Sequence, residues 1–254
     1  MRYLLTISIF FFACNKEADL PKAELNSCNL GVVRNLPPLR LVTTGKIQEN
    51  IERLLTKNYG VILLDFDGER VTNTNWTFTG EPFECAPAGL SIEQIKTIVD
   101  DNTARFAPFK IRVTTSERIF NQAPKGKRKR VILTTSYQWY GNAAGGTSYT
   151  GSIRWADDTP CFVFTQLLGY NTKNISIAST HEAGHTLGLR HQASWSSDCI
   201  LLNAYNYGDA TLAPIMGVAY YAARADWWIG PNSFGCNNIQ DDKQIIASIF
   251  NYKN

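Results

Sequence analysis

The chain has 254 residues, of which 44% are hydrophobic and 19% are charged. This composition suits one globular domain with a sizeable core and room for a small subdomain, and it excludes a disordered chain. The net charge of +3 is too small to indicate a strongly acidic partner, so we expect no nucleic-acid binding.

The N-terminus, MRYLLTISIFFFACNKEAD, combines one basic residue with an apolar run over residues 4–13. Such a run is too short to span a bilayer and is typical of a signal peptide, which we place at residues 1–13. Its end, Phe-Phe-Ala-Cys, resembles a bacterial lipobox, although Phe11 and Phe12 depart from the usual residues. The resemblance implies cleavage before Cys14 and a lipid on Cys14, which would anchor the exported protein to the outer membrane or cell surface. An ordinary secretory signal, cut nearby, is the alternative and would release the protein.

Hydrophobic periodicity predicts the remaining elements in chain order. Residues 14–57 are expected to be a lipidated tether and lead-in, or a pro-segment, with one short amphipathic helix over 46–55. The nearly continuous apolar run VILLDF is suited to a buried strand. The predicted strands cover 61–66, 110–115, 130–136, 146–155 and 161–168, the predicted helices cover 91–109, 174–189 and 238–250, and residues 192–237 are loop-rich.

The helix predicted over 91–109 has clear signals at both ends. Ser91 and Gln94 have the spacing of a capping box, and Pro108 is expected to end the helix. The predicted buried face consists of Ile92, Ile95, Val99, Asn102 and Phe106.

Three other segments carry weaker signals. The polar, glycine-bearing stretch at 146–155 suits an exposed edge strand better than a central one. The basic run KGKRKR (125–130) is predicted to be a solvated turn rather than a polyanion site, because nothing else in the chain is strongly basic. For the last helix we expect Asn238 as the N-cap and Asp241 in the first turn.

The chain contains six cysteines, and assigning Cys14 to the lipid leaves five. In an oxidising compartment five cysteines predict two disulfides and one spare thiol. The favoured pair is Cys199 with Cys236, because these two residues flank the same late segment.

All three histidines lie in HEAGHTLGLRH, residues 181–191. Residues four apart share one face of a helix, so His181 and His185 can bind the same ion, whereas Glu182 lies about 100° round the helix. Gly188 allows a sharp turn that returns His191 as a third nitrogen ligand. Three imidazoles leave one position open for water, which is the pattern of a catalytic zinc site, and Glu182 can accept the proton of that water.

This segment matches the HExxHxxGxxH zinc motif of the metzincin endopeptidases at every fixed position, and the chain resembles that clan. The similarity continues at Ala-Pro-Ile-Met-Gly (213–217), which resembles the clan's turn with a methionine, here Met216, beneath the zinc. The stretches IMGVAYYAARADWW and NNIQDD are similar to a group of secreted bacterial metzincins related to the reprolysin-like enzymes.

The resemblance implies an α+β fold with a twisted mixed sheet of about five strands, an active-site helix and a backing helix. It places an upper catalytic subdomain at 58–191 and a small irregular lower subdomain, ending in a helix, at 192–254. The implied activity is hydrolysis of peptide bonds in extracellular proteins by a monomeric zinc enzyme. The edge strand would pair with the substrate, and Tyr220 and Tyr221 would wall the pocket beyond the scissile bond.

One position departs from two groups of the clan. Astacins and serralysins carry a tyrosine two residues after the turn methionine, where this chain has Val218, so we expect three protein ligands and a water. Two other functions stay open. A catalytically silent binding module would have no need for Glu182, and a zinc amidase acting on a non-protein substrate is disfavoured by the proposed edge strand.

Overall fold

The computed structural model describes residues 59–77 and 80–253. The predicted signal peptide, Cys14, the lead-in and the helix predicted over 46–55 therefore lie outside the described residues. Within the described part, no helix is both long enough and apolar enough to cross a membrane. The α-helices are α1 (Ile92–Phe106), α2 (Glu117–Gln122), α3 (Thr172–Thr186) and α4 (Asp242–Phe250), and short 3-10 helices cover Asn75–Thr77, Gln138–Tyr140 and Ser152–Arg154.

The main sheet is mixed and has five strands, as predicted, in the order β4 (Ile111–Thr114), β1 (Gly60–Asp65), β5 (Arg128–Thr134), β7 (Cys161–Phe164) and β6 (Gly146–Thr147). The first four of these run parallel, and β6 is an antiparallel edge strand. The remaining strands form two-stranded pairs. In chain order the strands are β1 (Gly60–Asp65), β2 (Glu69–Val71), β3 (Phe83–Cys85), β4 (Ile111–Thr114), β5 (Arg128–Thr134), β6 (Gly146–Thr147), β7 (Cys161–Phe164), β8 (Ser194–Trp195), β9 (Leu201–Asn203), β10 (Leu212–Pro214), β11 (Arg224–Asp226), β12 (Ile229–Pro231) and β13 (Ile239–Asp241).

Strand β1 is buried along its whole length because helices cover both faces of the sheet. Ile62 and Leu64 belong to the main core, which they share with residues of α1 and α3. Val61 and Leu63 alternate with them and pack against α2 on the opposite face. The helix pair α1 and α3 thus forms one layer, in which the two helices contact each other directly.

Helix α1 begins at the predicted capping box, with the Ser91 hydroxyl accepting from the Gln94 backbone amide. Its predicted apolar face is wrong at the first turn, since Ile92 is 68% exposed. The buried stripe runs through Ile98, Asn102 and Phe106. Ile92 lies about 80° round the helix from Asn102, the middle of this stripe, and therefore at its margin.

The predicted edge strand at 146–155 is much shorter than expected. Strand β6 covers only Gly146–Thr147, and the chain then turns into the 3-10 helix. Gly151, with a φ of 75°, makes this turn, and its amide donates to the His185 carbonyl at 2.8 Å. That hydrogen bond to helix α3 takes the place of the longer strand pairing that the sequence predicted.

The last helix also begins later than predicted. Asp241 is its N-cap and accepts from the Gln244 amide at 3.0 Å, whereas Asn238 lies outside the helix. Residues Ile239–Asp241 instead pair with Ile229–Pro231 as a short antiparallel ladder. The residues that the sequence predicted for the first helical turn therefore form a strand pair instead.

The basic run at 125–130 is a solvated turn only in its first half. Strand β5 starts at Arg128, and Lys129 is 1% exposed. The Lys129 ammonium donates to the carbonyls of Ser152 and Thr159, at 2.9 and 2.6 Å. The prediction for the second half is wrong because these two carbonyls provide buried acceptors that the sequence does not reveal.

The disulfide predicted between Cys199 and Cys236 is confirmed. Cys85 and Cys161 are both buried and free, so the second predicted disulfide does not join them. These two thiols lie in strands β3 and β7. Cys28 lies outside the described residues.

Candidate metal centre

Two of the three histidines lie on helix α3, which is almost completely buried. Asn171 caps the helix by accepting from the Asn174 amide at 3.0 Å, a bond that satisfies one of the free N–H groups of the first turn. Its buried residues are consecutive from Ile175 to Thr180, so they are not confined to one face of the helix. His181 and His185 are therefore held on a rigid element, one helical turn apart.

The chain leaves α3 through Gly188, whose φ of 98° favours glycine. Its amide donates to the His185 carbonyl at 2.8 Å and ends the helix. The reversal brings His191 back to the other two histidines, as the sequence predicts. A second glycine, Gly184, lets Met216 approach, because a Cβ at this position would lie 2.7 Å from the Met216 sulfur.

The three imidazoles face one another. Their candidate ligand atoms lie within 4.8 Å of one another, and the Nε2 atoms of His185 and His191 are 2.9 Å apart. His181 Nδ1 lies 2.7 Å from the Ile215 carbonyl, and His185 Nδ1 lies 2.8 Å from the Leu189 carbonyl. Because a carbonyl can only accept, each Nδ1 carries the proton and leaves Nε2 as an electron-pair donor to a metal.

The surroundings keep the histidines neutral. Burial lowers the pKa of His181 to about 4. Burial, reinforced by the neighbouring His181, lowers the pKa of His185 to about 3. For His191, burial and then the other two imidazoles lower the pKa below its ordinary value. Neutral imidazole is the form that binds metals, so the cluster is suited to a cation.

Glu182 lies next to His181 in sequence but is not part of the converging group, which among the described residues contains the three histidines alone. Its side chain is 7% exposed, and burial raises the pKa of its carboxyl to about 8, opposed by a hydrogen bond from Ser148. The Ser148 hydroxyl donates to Glu182 Oε2 at 2.7 Å. A Cβ at Gly146 would lie 2.7 Å from Glu182 Cγ, so the edge strand is packed directly against this carboxylate.

The histidines and Glu182 line a cleft of about 1320 Å³. Strand β6 and the turn after it form one wall, and residues 217–221 form part of another. Tyr220 and Tyr221 both line the cleft, the first half-buried and the second 68% exposed. Val218, at the position where astacins carry a tyrosine, also lines it.

Sequence reasoning missed two residues of the site. Ser148 lies within the predicted edge strand, but nothing in a strand pattern identifies a partner for Glu182. Tyr205 packs its ring on His191, with ring centroids 4.2 Å apart and an interplanar angle of 36°. It lies in the loop-rich segment, where no periodicity relates a residue to a place in the fold.

No family model matches the chain, and a search of curated proteins finds no similar protein. Three neutral imidazoles, close together and half-buried, can bind a metal ion. Imidazole ligands suit zinc, copper, iron and nickel alike, so the donors define a metal site without naming the metal.

Proposed function

We propose that this protein is a zinc-dependent endopeptidase that hydrolyses peptide bonds of extracellular proteins. One observation carries the proposal: three converging imidazoles lie beside a buried carboxylate, Glu182, in a cleft bordered by an edge strand. The resemblance of residues 181–191 to the metzincin zinc motif supports it. On this proposal Met216 belongs to the turn beneath the metal, and residues 58–191 and 192–254 are the two subdomains around the cleft.

His181, His185 and His191 would hold the zinc ion. Held there, the ion would supply Lewis-acid chemistry and would lower the pKa of a water molecule toward about 7. Two of the three rings are oriented by backbone carbonyls of Ile215 and Leu189, which prevents the imidazoles from rotating away. Three protein ligands, rather than four, suit a catalytic zinc site better than a structural one.

Glu182 is proposed as the general base and acid. Ser148 holds one carboxylate oxygen, Oε2, which leaves Oε1 to accept a proton from the attacking water and to return it to the leaving amine. Glu182 thus moves a proton and does not bind the metal.

The edge strand gives the cleft its preference for polypeptides. Strand β6 pairs with β7 on one side only, and its first residue, Gly146, has no side chain to keep a substrate at a distance. An extended peptide can add to this edge as a further strand through main-chain hydrogen bonds. Tyr220 and Tyr221 would then contact the substrate beyond the scissile bond.

The test is metal analysis of the purified protein together with cleavage of a peptide library and zymography on denatured proteins. We expect about one zinc per chain, cleavage of internal peptide bonds and loss of cleavage with a chelator. A protein that binds zinc but cleaves neither peptides nor proteins would be a binding module. Cleavage of non-peptide amides alone would identify an amidase.

We also propose that the protein is exported and anchored to the bacterial envelope through a lipid on Cys14. The disulfide between Cys199 and Cys236 supports export, because disulfides persist in oxidising compartments. Cys14→Ser should release the protein from the membrane fraction or leave it unprocessed. Normal processing and unchanged membrane fractionation of this variant would contradict the anchor.

A further inference from the structure

The third histidine of the metal centre lies in a loop, whereas the other two lie on a helix. His191 follows Leu189 and Arg190, which have no regular secondary structure. Its place therefore depends on what fixes the residues on either side of it.

The residue before His191 is paired with a side-chain amide. The Arg190 backbone N–H donates to Gln240 Oε1 at 2.9 Å, and Gln240 Nε2 donates to the Arg190 carbonyl at 2.8 Å. Arg190 thus donates to and accepts from one amide group, as a residue in a strand pair does, but here the partner is the side chain of Gln240 and not a backbone. Both the N–H and the carbonyl of Arg190 are therefore held in place.

The residue after His191 is held by the same group of side chains. Gln192 is fully buried, and its Nε2 donates to Asp242 Oδ1 at 3.0 Å and to the Gln240 carbonyl at 3.2 Å. Gln240 Nε2 also donates to Asp242 Oδ1, at 2.8 Å, and the Trp228 amide donates to the other oxygen at 2.9 Å. Both neighbours of His191 are therefore tied to one buried carboxylate, at the first residue of helix α4.

This network is not arranged for stability alone. Burial raises the pKa of Asp242 to about 6 even though three N–H donors favour its charged form. Gln192 Oε1 is buried without a hydrogen-bond partner and faces Gly230, where a Cβ would lie 3.0 Å away. Each of these features costs free energy, as is common where geometry at a functional site takes precedence over stability.

We propose that Gln240 and Asp242 are positioning residues that hold His191 in place as the third metal ligand. They act through the backbone of Arg190 and the side chain of Gln192, on either side of His191, and do not touch the metal. The inference rests on the proposed metal site and extends it to the start of the last helix. Backbone bonds from Ser233 to the His191 carbonyl and from Gln192 to the Met216 carbonyl hold the chain after His191 independently. Without the network it is therefore the Arg190 segment that has to be ordered when the metal binds, and that cost appears as lower metal affinity.

The experiment measures zinc affinity by competition with a chromophoric chelator for the wild type and for Gln240→Ala. Loss of the Arg190 pairing should weaken zinc binding at least about tenfold, as is usual for residues that orient metal ligands. Gln192→Met is a second variant that removes the tether on the other side together with the unpartnered oxygen. It should lose zinc affinity with a smaller loss of thermal stability than Gln240→Ala.

The control is Phe120→Leu, in the apolar cluster on the opposite face of the sheet. It should lower the melting temperature of the metal-free protein while zinc affinity stays near that of the wild type. The inference is overturned if both network variants bind zinc as tightly as the wild type. It is also overturned if their zinc affinity falls no further than that of a control variant with the same melting temperature. Failure of the wild type itself to bind zinc would instead overturn the proposed function.

Discussion

The Ser148 hydroxyl donates a hydrogen bond of 2.7 Å to Glu182 Oε2. It joins the turn after strand β6, which forms one wall of the cleft, to helix α3. That wall and the proposed general base are therefore fixed relative to each other. The bond occupies one carboxylate oxygen, Oε2, and in the proposed mechanism the other accepts the proton. Glu182 thus has a defined orientation before any substrate enters.

Replacing Ser148 tests whether this orientation matters. Ser148→Ala should lower kcat about tenfold with little change in KM, because a hydrogen bond to a charged group contributes roughly 1.5–3 kcal/mol. Zinc content should stay unchanged, and Ser148→Thr, which keeps the hydroxyl, should retain most of the activity. Steady-state kinetics with one peptide substrate measure all three proteins. A wild-type kcat for Ser148→Ala would show that the bond has no catalytic role.

Two neighbouring glycines provide a matched test of the edge strand. At Gly146 a Cβ would lie 2.5 Å from the Phe162 carbonyl oxygen, a backbone atom that cannot move aside. At Gly145 the nearest atoms are the ends of side chains, 3.0 and 3.1 Å away. Gly146→Ala should displace β6 from Glu182 and reduce peptide cleavage roughly a hundredfold, the effect of a misplacement of about 1 Å. Gly145→Ala should reduce it far less, and equal losses would contradict this assignment.

Arg130 of strand β5 is the centre of an ion-pair cluster that joins three other segments of the chain. Arg130 contacts the carboxylates of Asp65, Glu69 and Glu117 at 2.5 to 2.6 Å, and Asp65 is only 4% exposed. Arg130→Met should lower the free energy of unfolding by about 3–5 kcal/mol, because it leaves a buried charge unpaired. Arg70→Met breaks an exposed pair with Glu84 and should change stability within error. Urea denaturation compares the two, and similar losses would contradict the prediction.

The buried Lys129 should make stability depend on pH. Burial lowers its pKa from 10.5 to about 8, so between these values the unfolded chain binds more protons than the folded one. The free energy of unfolding should therefore rise with pH across this window, by at most about 1.4 kcal/mol per unit of pKa difference. Lys129→Met should remove this contribution. Parallel pH slopes for the wild type and the variant in chemical denaturation would show that the folded-state pKa is not lowered.

The parts of the site that depend on local sequence could be predicted. Helical spacing alone places His181 and His185 on one face, and the conformational freedom of Gly188 explains the return of His191. The capping box at Ser91 is local in the same sense. The central strands were recognisable because strands covered on both faces are continuously apolar.

The rest depends on contacts between distant segments. Lys129 is buried because two carbonyls from residues 152 and 159 meet it, and no pattern in a basic run reveals them. Ile239–Asp241 join a strand pair instead of the helix because their partner, Ile229–Pro231, lies beside them in the fold. The hydrogen bond from Ser148 to Glu182 spans 34 residues and has no signature in either segment.

The most direct test of the proposed mechanism compares Glu182→Gln with His185→Ala, by metal analysis and by cleavage of one peptide substrate. Glu182→Gln should keep its fold and about one zinc per chain, yet lose activity at least about a hundredfold, because it removes only proton transfer. His185→Ala removes a ligand, so zinc content and activity should fall together. Cleavage by Glu182→Gln at the wild-type rate, with its zinc retained, would contradict the assignment of Glu182 and the proposed mechanism with it.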